Sequence, residues 1–139
     1  MKQNRLSSCF FLILFFALAV LLQGCEKTDE ETTPTDIRTD YTGTWISTES
    51  AAKNSDATYT VKIELDGTNS SQVILKNYMN LGSAIRVYAV VTETTITVPL
   101  QTVDSWAVAG SGSLVAEGEI RWSSCRANQL NVTAVYRRQ

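Results

Sequence analysis

The sequence predicts an all-β domain, a single antiparallel meander of about eight strands that is closed or nearly closed into a small barrel. From Tyr41 onward, apolar side chains recur at every second position in short segments separated by turn residues. No segment shows the apolar spacing of three and four residues that an amphipathic helix needs. Consecutive strands can close on themselves and so remove exposed edges, while a two-sheet β-sandwich stays open as the alternative.

The first half of the domain contains four of the predicted strands, at residues 43–49, 57–65, 72–77 and 84–91. The clearest is 57–65, where Tyr59, Val61 and Ile63 alternate with polar side chains, as is typical of a half-buried strand. The pair Asp66-Gly67 and the polar residues after it predict a turn, because Gly adopts positive φ readily and Asn and Ser bond to nearby backbone. The next strand therefore returns alongside this one.

The second half contains the other four predicted strands, at residues 95–100, 106–116, 118–122 and 130–138. In the first of them Ile96, Val98 and Leu100 alternate with polar residues and are expected to face inward. Pro99 has no N–H to donate to a strand ladder, so it is expected at a bulge, a strand end or an unpaired edge.

Residues 1–24 are predicted to be a lipoprotein signal peptide. Residues 1–5 carry two cations, and the fourteen residues from Cys9 to Leu22 include no polar side chain apart from the cysteine thiol. A cationic start followed by a short apolar run is typical of a signal peptide. A membrane-spanning helix needs about 20 apolar residues, so this run is short for one.

The stretch LQGC, residues 22–25, resembles the lipobox of bacterial lipoproteins. That resemblance implies that Cys25 becomes the first mature residue and carries the lipid chains. Two or more such chains hold a protein at a bilayer essentially permanently, which predicts a membrane partnership through the anchor. The alternative is an ordinary signal peptide in which Cys25 has no role.

Residues 25–39 are predicted to be the lipidated cysteine and an acidic, flexible tether. Five carboxylates stand here against Lys27 and Arg38, with almost no apolar side chain to offset the entropy of ordering. Acidic residues after the cysteine resemble the export signal of lipoproteins of the Bacteroidota. The expected location is therefore the cell envelope, at the outer membrane, either on its periplasmic face or exposed at the surface.

Residues 40–139 form the predicted all-β domain, and its charge excludes one class of partner. The domain carries eight Lys and Arg against nine Asp and Glu, with no basic stripe along any strand. Because phosphate backbones are bound by clustered cations, we expect no nucleic acid partner.

The chain contains no histidine, which excludes Ser-His-Asp and Cys-His nucleophiles and most zinc sites. We therefore expect a protein that is not an enzyme and that holds no metal or cofactor. The paired acids Glu117 and Glu119 give a third and weaker hypothesis, a carboxylate-based hydrolase, if they faced each other across a cleft. Glu64 and Asp66 lack the dense oxygen-ligand spacing of a calcium loop.

Large aromatic side chains are the candidate ligand-binding residues. The period of two places five of them on the inward face: Trp45, Tyr59, Trp106, Trp122 and Tyr136. Tyr and Trp combine a large apolar surface with a polar tip, so they can either line a pocket or plug the ends of a small barrel. Cys125 is expected to be a small buried hydrophobe.

The stretch YTGTW, residues 41–45, resembles the opening Gly-x-Trp of lipocalins and fatty-acid-binding proteins, which implies that Trp45 closes the base of a barrel. The N-terminal 3₁₀ turn and C-terminal helix of lipocalins have no visible counterpart, and Arg121 is the candidate for the cation that packs on this Trp. Residues 40–138 also resemble small uncharacterised lipoproteins of the Bacteroidota, through TVPLQTV (97–103), GSG (110–112) and TAVY (133–136). That second resemblance implies a layout and no known activity.

These observations predict an envelope lipoprotein that acts as a binding module for a small or extended ligand, apolar or carbohydrate-like, or for an envelope partner. Tyr78, Met79 and Leu81 add a second candidate surface, because they are apolar residues in the connection 77–84. The alternative is a structural or interaction lipoprotein with a filled core.

Overall fold

The computed structural model describes residues 35–51 and 54–139. The predicted signal peptide, Cys25 and most of the tether lie outside the described residues. Among the described residues, no helix combines the length and the apolarity that crossing a membrane requires.

Eight antiparallel strands form a closed barrel in which each strand pairs with its neighbours in the chain and β1 also pairs with β8. They are β1 (Gly43–Ala51), β2 (Asn54–Leu65), β3 (Gln72–Lys76), β4 (Arg86–Val91), β5 (Thr95–Val103), β6 (Trp106–Ala116), β7 (Glu119–Ala127) and β8 (Leu130–Arg138). The predicted meander is confirmed. The sandwich alternative is wrong, because the β1–β8 pairing closes the sheet on itself.

Loops of an up-and-down barrel alternate between its two ends. We call the end that holds the β2–β3, β4–β5 and β6–β7 connections the base, and the other end the mouth. The connection β3–β4, residues 77–85, crosses the mouth and contains a 3₁₀ turn, Tyr78–Asn80. We call it the mouth loop.

A 3₁₀ helix, Ile37–Asp40, precedes β1. The Arg38 guanidinium pairs with Asp36 and donates to three backbone oxygens, at 2.8 to 3.2 Å: those of Asp66 and Asn69 in the β2–β3 connection and that of Gln72, the first residue of β3. These hydrogen bonds hold the 3₁₀ helix against the β2–β3 end of the barrel. The sequence pattern did not reveal this turn.

Aromatic side chains seal the base. The Tyr41 hydroxyl donates to the carbonyls of Thr92 and Thr95, at 2.9 and 3.1 Å, and the Trp45 indole donates to the Tyr41 carbonyl at 2.9 Å. The Arg138 guanidinium lies 4.8 Å from the centre of the Trp45 ring, in cation–π geometry. Trp45 thus closes the base as expected, but its cation is Arg138, and Arg121 pairs with Glu119 instead.

A bulge in β5 changes which residues face inward. Ile96 and Val98 are buried, but the register shifts between Val98 and Gln101, and Leu100 is 69% exposed. The bulge contains Pro99, as predicted for a residue without an N–H. Leu100 therefore faces outward, contrary to the alternation expected from the sequence.

Strands β4 and β5 separate toward the mouth. Backbone pairing between them covers only two residue pairs, Val90 with Thr97 and Val91 with Ile96. Beyond these pairs the Gln101 side chain bridges the gap, accepting from the Tyr88 N–H at 3.1 Å and donating to the Tyr88 carbonyl at 2.7 Å. A side-chain amide here replaces a pair of ladder hydrogen bonds.

Candidate ligand site inside the barrel

Strand β1 directs polar side chains into the barrel. Successive residues of a strand point to opposite faces, so Trp45, Ser47 and Glu49 all face inward. Ser47 is fully buried and Glu49 is 9% exposed. Among the strand residues whose side chains the structure describes, which leaves out residues 51–56, Glu49 is the one acidic or basic side chain buried in the barrel interior.

Tyrosines flank Ser47 on both neighbouring strands. Ser47 pairs with Tyr59 of β2 and with Tyr136 of β8, so the three side chains form one row across the inner wall. The Tyr59 hydroxyl donates a short hydrogen bond to a carboxyl oxygen of Glu49. Burial, followed by this bond, raises the pKa of Tyr59 far above its ordinary value.

Three buried polar atoms have no protein partner in the described part of the chain: Ser47 Oγ, Trp122 Nε1 and Tyr136 Oη. Almost all buried polar atoms in native proteins are hydrogen-bonded, and an unpartnered one costs about 1–3 kcal/mol. Tyr136 pairs with Ser47 across the β1–β8 seam, and its ring centre lies 5.4 Å from that of Trp122. The three atoms therefore belong to one region of the interior.

The aromatic wall of this region depends on two glycines of β6. The Tyr78 ring meets Trp122 edge to face at 5.7 Å. A Cβ on Gly110 would meet the Tyr78 hydroxyl, and one on Gly112 would stand 3.0 Å from the Trp122 ring. Because neither glycine has a side chain, both rings can lie directly against the β6 backbone. The Tyr78 hydroxyl then donates to the Ala109 carbonyl at 2.8 Å.

Cys125 lies in the same region and is fully buried, as predicted. Burial raises the pKa of its thiol to about 12, because the surroundings disfavour the thiolate. Burial also raises the pKa of Tyr136 well above its ordinary value, and the nearby Cys125, Tyr59 and Glu49 add to this effect. A neutral thiol of this kind is a poor nucleophile.

The candidate ligand-binding residues selected from the sequence lie in different parts of the barrel. Tyr59, Tyr78, Trp122 and Tyr136 come together around Ser47 and Glu49, while Trp45 lies at the base. Trp106 and Leu81 are partly buried against the core near the mouth. Tyr78 and Met79 are buried, so the mouth loop does not present them as the exposed apolar surface that the sequence suggested.

Ser47 and Glu49 were not selected as site residues from the sequence, although the necessary signal was present. Once Trp45 is assigned to the inner face of β1, the period of two places Ser47 and then Glu49 on that face. An acidic residue at an inward strand position is unusual, because buried carboxylates are rare unless paired.

Three other carboxylates considered from the sequence, Glu64, Asp66 and Glu119, form ion pairs or turn hydrogen bonds away from this region. Glu119 pairs with Arg121 at 2.7 Å and with Arg137 at 3.3 Å, and the hydrogen bond from Arg121 lowers its pKa. Glu64 pairs with two lysines, and Asp66 accepts hydrogen bonds from Thr68 in the β2–β3 turn. Across residues 35–51 and 54–139, no three His, Cys, Asp or Glu side chains group as metal ligands would.

Comparison with known proteins gives no match: no family model matches the chain, and no curated protein or solved structure is significantly similar to it. The architecture, a closed antiparallel barrel of eight strands, is consistent with a lipocalin-like fold. Fold alone does not identify a function, so what the barrel binds has to be inferred from its interior residues.

Proposed function

We propose that this chain is a lipid-anchored protein of the cell envelope whose barrel binds a small organic ligand without transforming it. The observation that carries the proposal is the set of three buried, unpartnered polar atoms, Ser47 Oγ, Trp122 Nε1 and Tyr136 Oη, beside the Glu49 carboxyl. A ligand that hydrogen-bonds to these atoms would offset their desolvation.

The composition of this interior supports a ligand site more than a barrel plug. An apolar plug of Val, Leu and Phe would fill the same space without burying polar atoms. Instead the region combines aromatic rings with hydroxyl, indole and carboxyl groups, the mixture typical of small-molecule sites. An eight-stranded barrel can hold one small ligand.

The envelope location is supported by the sequence before the barrel. The lipobox-like residues 22–25 follow an apolar run, and the acidic tether precedes the domain. Cys25 would carry the lipid, as in the small lipoproteins of the Bacteroidota that the chain resembles. Metabolic labelling with a palmitate analogue should mark the wild-type chain and leave a Cys25→Ser variant unmarked. Equal labelling of the two chains would overturn the anchor.

Native mass spectrometry of the full chain, released from its host's membranes in an uncharged detergent, tests the binding proposal. We expect a mass excess in the folded protein that disappears on denaturation, whereas covalently attached lipid remains under both conditions. Identical masses in the two states would mean that the interior holds only water or its own side chains.

Two variants on β1, each of which replaces a hydroxyl residue by valine, test whether the bound molecule lies in the interior. Ser47→Val inserts methyl groups where the unpartnered hydroxyl stands, so it should abolish the non-covalent mass excess. Thr48→Val also removes a hydroxyl, but from the neighbouring residue, whose side chain points out of the barrel, so it should preserve the mass excess. Retention of the ligand by both variants would place it elsewhere.

One observation supports a second candidate, a protein that acts through surface contacts. Tyr88, Val90 and Leu100 are exposed apolar side chains beside the separated part of strands β4 and β5. Exposed apolar clusters mark interaction surfaces in soluble domains. Cross-linking from position 88 in intact cells would favour this candidate if a partner were captured and no ligand were found inside the barrel.

A further inference from the structure

The charge inside the barrel points to the chemistry of the ligand, given that the proposed function is correct. Glu49 is buried in the inner wall, and its hydrogen-bond partner in the structure is the Tyr59 hydroxyl. None of the Lys and Arg side chains that the structure describes forms an ion pair with Glu49: six make contacts on the outer surface or at the base, and Arg86 and Arg126 are exposed. A buried carboxylate is strongly disfavoured unless a positive charge pairs with it.

We propose that the ligand is a small organic cation, an amine with an aromatic or apolar body, whose ammonium group pairs with Glu49. Such a ligand supplies the positive charge that the described residues do not. A fatty-acid anion in the same place would bring a like charge to Glu49, which low-dielectric surroundings make costly.

The aromatic rings of the site favour the same charge. Trp122 lies between Tyr78 and Tyr136, with ring centres 5.7 and 5.4 Å away. The faces of Trp and Tyr rings carry partial negative charge and attract ammonium groups within about 6 Å. Contact between a flat ligand body and an aromatic side chain would add binding energy that does not depend on charge.

The unpartnered atoms add a second requirement. Hydroxyl oxygens of Ser47 and Tyr136 can accept hydrogen bonds from an ammonium group, but the Trp122 indole can only donate. The ligand should therefore carry an acceptor, such as a hydroxyl or carbonyl oxygen, in addition to its amine.

Strand geometry indicates the distance between the amine and the hydrogen-bond acceptor of the ligand. Glu49 and Trp122 both pair with Ala134, from the two sides of β8, so they lie in one row of the wall. Neighbouring strands are about 4.8 Å apart, which puts the two backbones roughly 10 Å apart across the row. A ligand that bridges the carboxylate and the indole would therefore be about the size of a phenylethylamine.

Three probes that share one skeleton test the charge preference: tyramine, which is an amine, its neutral alcohol analogue tyrosol, and the anion 4-hydroxyphenylacetate. Binding to the full chain in uncharged detergent at neutral pH is followed by tryptophan fluorescence and calorimetry. We expect tyramine to bind at least about tenfold more tightly than tyrosol, and the anion to bind weakest, because only the amine forms the ion pair.

Glu49→Gln removes the charge and keeps the shape, so it should reduce tyramine binding to the level of tyrosol while tyrosol binding is unchanged. Glu119→Gln, on the outer surface, is the matched control and should leave the preference intact. If Glu49→Gln does not fold, the order of the three probes on the wild-type chain still decides the question.

Equal binding of tyramine and tyrosol, or a preference for the anion, would overturn the proposal of a cationic ligand but not the proposed binding function. Failure of all three probes to bind would also overturn the proposal of a cationic ligand. The binding function itself would fail separately, through a native mass without any non-covalent excess. The two failures are therefore distinguishable.

Discussion

At the scale of single residues, Gly110 determines whether the mouth loop can close over the interior. A methyl group at this position would collide with the Tyr78 hydroxyl, stand 3.1 Å from the Ser124 carbonyl and 3.2 Å from the Trp122 ring. Gly110→Ala should therefore lower the free energy of unfolding by about 1–3 kcal/mol, the usual cost of overpacking. Urea unfolding of the full chain measures this loss.

Gly67→Ala is the control, because a Cβ at Gly67 meets no atom within 4 Å. Its effect on the free energy of unfolding should stay within about 0.5 kcal/mol. Equal effects at the two glycines would contradict the close packing of Tyr78 against β6.

Tyr41 and Tyr136 are both buried, but only the hydroxyl of Tyr41 is hydrogen-bonded to protein atoms. Replacing each by Phe tests this difference. Tyr41 donates to two base carbonyls, so Tyr41→Phe should cost about 1 kcal/mol of unfolding free energy. Tyr136 has no protein partner for its hydroxyl, so Tyr136→Phe should leave the stability of the ligand-free chain unchanged or raise it by about 1 kcal/mol.

The same Tyr136→Phe variant should bind the ligand more weakly, because the hydroxyl lost is one that the ligand would use. A substitution that raises stability and weakens binding is typical of a functional site, because such sites keep polar groups that destabilise the protein when no ligand is bound. A clear loss of ligand-free stability in Tyr136→Phe would mean that its hydroxyl already has a partner, and the site would lose one of its three atoms.

At the scale of strands, the Gln101 side chain holds the separated part of β4 and β5 together. Gln101→Ala removes the acceptor of the Tyr88 N–H and the donor to the Tyr88 carbonyl. We expect a loss of about 1 kcal/mol in unfolding free energy and faster hydrogen exchange at the Tyr88 amide.

Gln129→Ala, in the exposed turn between β7 and β8, is the matched control and should leave exchange at Tyr88 unchanged. Unchanged exchange in Gln101→Ala as well would show that the backbone, and not the amide bridge, protects this edge.

The ends of a strand can be predicted from the sequence when apolar and polar residues alternate without interruption along it. Strands β6 and β8 begin and end where the pattern places them, at Trp106–Ala116 and Leu130–Arg138. Strand β7 continues five residues past its predicted end, to Ala127, because a register shift between Trp122 and Cys125 changes the inward phase. A bulge adds one residue, and a fixed period of two cannot follow it.

The candidate site follows from sequence only in part. The aromatic residues Trp122 and Tyr136 are found by size and phase, but the position of Tyr78 depends on the mouth loop folding inward. Asn77, Met79 and Asn80 of this loop have positive φ, a conformation that tertiary contacts impose and that local sequence does not reveal for a methionine.

At the scale of the whole molecule, the buried tyrosines should set the alkaline limit of stability. Burial raises the pKa of Tyr41 from its ordinary 10.0 to about 12, and burial raises that of Tyr59, Tyr78 and Tyr136 as well. The unfolded chain then loses these protons more readily than the folded one, so stability is intact below pH 10 and falls as pH rises through 12.

Circular dichroism and tyrosinate absorbance recorded together check this prediction. Loss of the barrel and ionisation of the buried tyrosines should occur in one transition. Ionisation of all the tyrosines well before the barrel unfolds would contradict the buried, neutral state of their hydroxyls.

The role of the whole molecule depends on what occupies the barrel interior, which a crystal structure of the full chain, purified natively from its own host, would reveal. We expect density for a small molecule other than water within hydrogen-bonding distance of Ser47 Oγ, Trp122 Nε1 and Tyr136 Oη, with a cationic group against Glu49. Density that contains only water or protein atoms around those three positions would contradict it.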